Sequence, residues 1–298
     1  MNQLIKVGIC VAYDWEYLRY SLPLVYEEAD QICLSLDVNR TTWSGNPFSF
    51  DEVSFRNFIG EIDRQNKIVI LEESFYAPDR TPMQNEVYQR NRMGSYLGQG
   101  GWHVQLDSDE YMLDFPGFVK YLRSLKSDRK LNVCCPWHTM FKKVDRGMLF
   151  VVNDEIEYIA VATRWPRYEY GRRNSNFNIK TNFLLVHQSW ARPMEEIRQK
   201  LENWGHRDDF DTQKFFEQWC VLSEDNFMDW QDFHPIEPKT WRGLILVEGG
   251  NLQEILTCIK QSPPYQVPIW RLNWGNSVWR SRIFSLKSKI AKWIFPSS

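Results

Sequence analysis

The sequence predicts an α/β fold in which a parallel sheet is followed by a mixed or antiparallel region. Two observations predict it. Short apolar runs alternate with amphipathic runs four times up to Asp107, and beyond that point apolar runs follow one another closely. Parallel strands need long crossover connections, whereas antiparallel strands can be joined by short turns. The composition, 43% hydrophobic and 25% charged, is that of an ordinary globular chain.

The parallel part is predicted from four strands with helices between them. Asp14 and Thr81 are placed to cap helices, and Pro82 suits a first helical turn. The helix after the second strand has one apolar face, formed by Phe55, Phe58, Ile59 and Ile62. The predicted strands are 4–12, 31–36, 67–71 and a run ending at Asp107, and the predicted helices are 15–29, 51–64 and 83–97.

The later part of the chain has a different order of predicted elements. The predicted elements are a helix over 115–125, strands over 132–143, 147–152, 157–163 and 181–186, and helices over 193–204 and 211–221. Pro193 again suits a first helical turn. We therefore predict one domain over 1–235, an extension over 236–277 and a basic tail helix over 278–298.

Composition restricts the possible functions. A net charge of −2 gives no general attraction to nucleic acid, so no nucleic-acid partner is expected. The abundant Trp, Tyr and Phe suit sugar rings as well as a core. The six cysteines contain no C-x-x-C spacing, which argues against zinc and favours free buried thiols in a reducing compartment. No signal peptide and no apolar run long enough to span a bilayer are recognised.

The most informative motif is Asp107-Ser108-Asp109-Glu110, at the end of the fourth predicted strand. Ligands of open α/β sheets bind at the carboxyl ends of strands, and two carboxylates there can hold a divalent cation that bridges a diphosphate. The alternative is an ordinary turn, which aspartate also favours. No G-x-G-x-x-G follows the first strand and no P-loop occurs. An EF-hand fails because Met112 and Phe118 stand where Gly and Glu are required.

Several segments together resemble glycosyltransferases of the GT-A fold, close to family 2 and its relatives. The matching segments are Val11-Ala12-Tyr13, Asp37, Gln89-Arg90-Asn91, Asp107-Ser108-Asp109-Glu110, and a downstream run that begins His187-Gln188-Ser189-Trp190-Ala191-Arg192 and continues through Lys200 to His206. The downstream run is similar to the H-x-S…K…H segment of bisecting-type N-acetylglucosaminyltransferases. The resemblance covers about residues 4–210, and it implies a Rossmann-like nucleotide-binding sheet with a mixed or antiparallel acceptor-side extension.

The resemblance implies a metal site. Asp109 would bind Mn²⁺ or Mg²⁺, Asp107 would bind the metal or the donor ribose, and His187 would complete the site. The metal would neutralise the departing diphosphate. The alternative for His187 is a buried histidine bonded to backbone. His206 is a further candidate, and its alternative is a cationic helix end.

The resemblance also implies a nucleotide-sugar site. Ala12 and Tyr13 would line it, Asp37 would accept a hydrogen bond from uracil, and Arg90 would face the base or the diphosphate. The alternatives are a turn residue for Asp37 and a helix-surface ion pair for Arg90.

The resemblance implies that Glu169 is the general base, because GT-A enzymes usually carry this group after the strand that follows D-x-D and its hairpin, and Glu157 and Asp154 are other candidates. The alternative role of Glu169 is an ion pair with Arg172 or Arg173.

The C-terminal run has five basic and no acidic residues between Val278 and Phe295. Its apolar residues share one helix face: Trp279, Ile283, Leu286, Ile290 and Trp293. This pattern predicts a helix at an anionic membrane surface. The alternative is a helix docked on the domain.

These observations predict a metal-dependent glycosyltransferase that moves a sugar from a UDP-sugar to a glycan or lipid-linked acceptor. The expected setting is bacterial surface polysaccharide synthesis, with the protein cytoplasmic and peripherally attached to the inner face of the membrane. One alternative is a nucleotidyltransferase or a metal-dependent phosphatase. Another is a non-catalytic, membrane-attached carbohydrate-binding protein.

Overall fold

The computed structural model describes residues 3–127, 129–203 and 209–277. Its first part is a parallel sheet in the spatial order β3-β2-β1-β4, with crossover helices. The strands are β1 (Ile5–Val11), β2 (Gln31–Asp37), β3 (Ile68–Glu73) and β4 (Trp102–Asp107), and the helices are α1 (Leu18–Tyr26), α2 (Glu52–Ile62) and α3 (Pro82–Tyr96).

The sheet continues from β4 through antiparallel pairings in the order β4-β8-β6-β7-β11. The elements of this second part are β5 (Glu110–Met112), α4 (Phe115–Ser124), β6 (Leu131–Val144), β7 (Gly147–Asn153), β8 (Tyr158–Thr163), β9 (Phe177–Lys180), β10 (Leu185–His187), α5 (Met194–Asn203), α6 (Thr212–Val221), β11 (Trp241–Glu248), α7 (Leu252–Gln261) and α8 (Ile269–Gly275). The predicted α/β class is confirmed, and so is the predicted change from a parallel sheet to a mixed extension.

Helices cover both faces of the parallel sheet. Apolar residues of α1, α2 and α4 form one core with the strands, which accounts for the continuous burial of β1. On the other face α3 packs closely on β1, because a Cβ on Gly8 would lie 3.0 Å from the Met93 sulfur. The capping box of Thr81 and Gln84 begins α3 where the sequence predicted it.

The antiparallel part has its own apolar core. Phe141 and Val151 of the sheet pack with Ile197 of α5, Phe215 of α6 and Trp241 of β11. Because β11 pairs with β7 along its length, the segment predicted as an extension contributes an edge strand to the same sheet. The sequence did not identify β5, β9, β11, α7 or α8 as separate elements.

Two predicted elements are shorter than expected. The helix predicted over 15–29 starts as a 3₁₀ turn, Trp15–Tyr17, and Asp14 makes no capping hydrogen bond there. The strand predicted over 181–186 is reduced to Leu185–His187.

All six cysteines are free, as predicted, although Cys258 is exposed. In the part of the chain that the structure describes, no helix has the length and apolar character needed to cross a membrane. The predicted tail helix lies outside the described residues.

Candidate active site

A cavity of about 340 Å³ opens at the carboxyl ends of β1, β2 and β4. β2 pairs with β1 on one side and β4 pairs with it on the other, so the strand order changes direction at β1. Ligands of open α/β sheets bind at such a point, outside the carboxyl ends of the strands. Within the part of the chain that the structure describes, the cavity brings together the predicted binding and metal residues: Ala12, Tyr13, Asp37, Arg90, Asp107, Asp109 and His187. Glu169 does not line it.

Asp107 is held by an arginine from the preceding helix. Arg90 Nη2 donates to Asp107 Oδ1 at 2.7 Å, and Arg90 Nε donates to Glu86 Oε1 at 2.9 Å. Burial by itself would raise the pKa of the Asp107 carboxyl, but Arg90 and Arg172 lower it. The Arg90 side chain is buried, so it is not the solvated ion pair that the sequence also allowed.

Asp109 lies deeper and has partners from β10 and from the segment after it. Arg192 Nη2 lies 2.5 Å from Asp109 Oδ2, and His187 Nε2 lies 3.4 Å from the same oxygen. Burial opposes ionisation of Asp109, but His187 and Arg192 hold the pKa of this carboxyl well below its usual range. The His187 ring is stacked on Trp137, with ring centroids 4.6 Å apart.

A buried ion pair fixes the base of this turn. Arg172 donates to both oxygens of Glu110, at 2.7 and 2.5 Å. Glu110 Oε2 also accepts the backbone N–H of Asp107 at 3.0 Å. Glu110 therefore connects Arg172 to the backbone of the Asp107–Asp109 turn and restrains the direction of both aspartates.

Asp37 is a loop-organising residue at the cavity edge. Its Oδ1 accepts from the backbone N–H of Asn39 at 2.9 Å, and its Oδ2 accepts from that of Phe75 at 2.7 Å. The turn role that the sequence allowed is therefore present, and Asp37 also borders the cavity. Nearby, the Trp43 indole donates to Gln89 Oε1 at 2.6 Å, which orients an aromatic wall.

Among the described residues, the predicted metal ligands do not form a three-residue cluster. Over residues 3–127, 129–203 and 209–277, no group of three or more His, Cys, Asp or Glu side chains is arranged to hold a metal ion. Magnesium-type sites, however, use one or two protein carboxylates and complete their coordination with water and substrate phosphate. Asp109 Oδ2 and His187 Nε2 are close enough to contact one cation, so these two residues fit a metal that binds together with a diphosphate.

The candidate general bases lie in different places. Glu169 borders a separate groove, and its Oε1 accepts from Ser175 Oγ at 3.3 Å. Asp154 is exposed and pairs with Arg242 at 3.1 Å. Glu157, just before β8, does not line the cavity either; burial raises its pKa, and the charges of His187 and Arg173 act in the opposite direction. His206 lies outside the described residues.

The sequence analysis assigned no role in the site to Asp14, Arg172, Arg192 and Lys200, and all of them line the cavity. Arg172 had been considered only as a partner of Glu169, and it pairs with Glu110 instead. Asp14 had been expected to cap a helix, and its carboxylate binds Arg192 at 2.9 Å. The sequence feature that could have identified Arg192 and Lys200 as site residues is their place in the segment after His187.

No protein-family model matches the chain, and no curated protein matches it. Among solved structures, the chain is similar to the mannosyltransferase PcManGT from Pyrobaculum calidifontis in complex with GDP-Man and Mn²⁺. The likeness has a TM-score of 0.41 and 10% identity, and it covers 68% of this chain and 62% of the mannosyltransferase. A putative glucose-1-phosphate thymidylyltransferase from Bacillus anthracis is similar with a TM-score of 0.28 and 8% identity, over 89% of this chain and 97% of that one. Both TM-scores are low, so the functional conclusion depends on this chain's own topology and side chains.

Proposed function

We propose that this protein is a metal-dependent glycosyltransferase that uses a nucleotide-sugar donor, with a UDP-sugar as the first candidate. The observation that carries the proposal is the convergence of Asp107, Asp109 and His187 with three buried arginines in one cavity at the carboxyl ends of β1 and β4. Carboxylates alone would repel a diphosphate. Because the carboxylates are paired with Arg90, Arg172 and Arg192, the site can accommodate the negative charge of a diphosphate.

The cavity offers separate regions for the parts of such a donor. Ala12, Tyr13 and Asp37, which line the cavity together with Trp43, would bind the base. Asp107 keeps one carboxylate oxygen without a close arginine, since Arg172 is 4.0 Å from Oδ2, and this oxygen could accept from the ribose. A Mn²⁺ or Mg²⁺ ion held by Asp109 and His187 would supply charge neutralisation at the leaving diphosphate.

Lys200 adds a further cation on the Asp109 side. Its ammonium donates to the carbonyl oxygen of Ser189 at 3.1 Å. Burial and the neighbouring Arg192 lower the pKa of Lys200 to about 8. Near neutral pH it is still largely protonated and can attract a phosphate.

For the general base, Glu157 and Glu169 are the two candidates. A general base works best when its pKa is near the working pH, and burial raises the pKa of Glu157. Glu157 is also connected to the cavity, because its backbone carbonyl oxygen accepts the N–H of Trp137 at 2.8 Å and the Trp137 ring is stacked on His187. Glu169 remains the candidate that the GT-A resemblance implies, and it would act only if an acceptor bound across the turn that separates its groove from the cavity.

The acceptor is proposed to be a glycan or a lipid-linked sugar at the cytoplasmic face of a membrane. Immediately before the basic tail, α8 exposes Trp270 and Trp274, which are 70% and 60% accessible. Exposed tryptophans next to a cationic segment suit a membrane interface. We expect Trp270→Ala/Trp274→Ala to lower sedimentation of the full chain with anionic vesicles, whereas Met228→Ala, at another exposed apolar residue, does not. Equal sedimentation of both variants would contradict membrane attachment through α8.

Calorimetry with UDP and Mn²⁺ tests the main proposal. Binding of UDP that requires the metal is the expected result, and its absence, also with other nucleoside diphosphates, would count against the proposal. Release of pyrophosphate during turnover would point to a nucleotidyltransferase, and release of inorganic phosphate to a phosphatase. Sugar binding that is indifferent to EDTA and to nucleotide would point to a non-catalytic carbohydrate-binding protein.

A further inference from the structure

One oxygen of Asp109 is shared by two partners. Asp109 Oδ2 lies 2.5 Å from Arg192 Nη2 and 3.4 Å from His187 Nε2. A divalent cation placed between His187 Nε2 and the Asp109 oxygen nearest to it would contact the oxygen that Arg192 already binds. The guanidinium and the metal are both positively charged, so they would oppose each other at this oxygen when no nucleotide is bound.

Arg192 also has unused hydrogen-bonding capacity. Its side chain is 3% exposed, and within the described residues its Nε and Nη1 atoms are buried without a hydrogen-bond partner. Among the described residues, the carboxylate nearest to Nη1 is that of Glu196, at 3.8 Å. Buried donors without acceptors are costly, so an anion that reached Arg192 from the cavity would be bound favourably.

We propose that Arg192 competes with the divalent metal for Asp109 and is released from this competition when a diphosphate enters the cavity. The inference rests on the proposed function, since it takes Asp109 and His187 as the metal site. The phosphate oxygens supply acceptors for the free Arg192 donors, and their negative charge allows the guanidinium and the metal to lie near one another. Metal and nucleotide therefore bind cooperatively, and each raises the affinity of the other by the same factor.

Asp14 sets the strength of the competition. Its Oδ2 accepts from the same Arg192 Nη2 at 2.9 Å, so Arg192 is divided between two carboxylates. Loss of the Asp14 charge would leave Asp109 as the only carboxylate within 3 Å of Arg192 among the described residues. The two positions consequently have opposite expected effects on metal binding.

The test measures Mn²⁺ binding by the electron paramagnetic resonance signal of the free ion, with and without UDP, on the full chain. For Arg192→Met we expect Mn²⁺ affinity without UDP to rise at least about tenfold, and the gain caused by UDP to shrink. Arg192→Lys keeps the charge and should preserve most of the competition. Arg198→Met, on the exposed side of α5, is the matched control and should behave as the wild type.

Asp14→Asn provides the second arm, which remains informative if Arg192→Met does not fold. We expect it to weaken Mn²⁺ binding without UDP. An Arg192→Met protein that is folded by circular dichroism and binds Mn²⁺ alone no more tightly than the wild type would overturn the competition. So would an Asp14→Asn protein with tighter or unchanged binding. A wild type that binds no Mn²⁺ even with UDP would contradict the proposed function instead.

Discussion

The two aspartates of the Asp107–Asp109 turn are one residue apart, yet their surroundings differ. Asp107 is 29% exposed and is paired with Arg90, from the helix directly before β4. Asp109 is 3% exposed and is paired with Arg192, which is 83 residues further along the chain. One carboxylate faces the open cavity and has a partner from the parallel half. The other is enclosed and depends on the antiparallel half.

This difference indicates that the two aspartates of the motif have separate roles. The closest partner of Asp107, Arg90, is in place once the parallel sheet and α3 have formed, and the remaining oxygen of Asp107 has no partner closer than Arg172 at 4.0 Å. The Asp109 side is complete only when the residues after β10 pack against the turn, and its oxygen is shared between His187 and Arg192. We therefore expect changes at Asp109 to affect the metal, and changes at Asp107 to affect the donor.

The largest expected effect comes from Asp109→Asn. Loss of this carboxylate should abolish turnover and metal-dependent UDP binding while the protein stays folded, because the metal loses its charged ligand. Asp107→Asn should weaken UDP binding but keep the Mn²⁺ dependence, and His187→Ala should reduce metal affinity less than Asp109→Asn. Transfer assays and calorimetry at several Mn²⁺ concentrations measure these effects. Near-full activity of Asp109→Asn would contradict the assignment of the metal to Asp109 and of the nucleotide-sugar donor to Asp107.

The next comparison is between Glu157 and Glu169. If Glu157 is the base, Glu157→Gln should lower kcat by about 10²–10⁴-fold with little change in UDP affinity. Glu169→Gln, an isosteric change outside the cavity, should leave kcat within a few-fold of the wild type. Single-turnover transfer measures both. The reverse order of effects would place the base in the groove that Glu169 borders.

The ion pair behind the turn should govern stability more than catalysis. Glu110→Gln leaves the buried Arg172 without its charged partner, and we expect a loss of about 3–5 kcal/mol in the free energy of unfolding. Asp107→Asn should cost clearly less, since solvent reaches Asp107. Urea denaturation followed by circular dichroism gives both values. Similar losses in the free energy of unfolding would show that the partly exposed Asp107 and the buried Glu110 contribute equally to stability.

The smallest expected effect is a pH dependence. Lys200 has a pKa of about 8, so its positive charge is present below that pH and is lost above it. UDP affinity at saturating Mn²⁺ should fall by at most about tenfold between pH 7 and pH 9, which corresponds to one linked proton. Lys200→Arg should give a flat profile with high affinity, and Lys200→Met a flat profile with lower affinity. An unchanged slope in both variants would assign the pH dependence to another group.

The sequence by itself determined the β/α alternation and the position of the Asp107–Asp109 turn, and its resemblance to glycosyltransferases pointed to seven of the residues that border the cavity. These features depend on local periodicity, on caps such as the Thr81 capping box, and on the rule that parallel strands present their carboxyl ends at one edge. Asp37 is an example, because its place at the end of β2 was enough to bring it to the cavity.

Only the tertiary structure decided which charges pair. Asp14 binds Arg192 rather than the start of a helix, Arg172 binds Glu110 rather than Glu169, and Glu169 borders a different groove. Long charged side chains reach several partners, and their choice depends on which segments pack together over separations such as the 178 residues between Asp14 and Arg192. No local sequence pattern indicates which of these distant residues will meet. The motif could therefore be located from the sequence, but its charged partners could not.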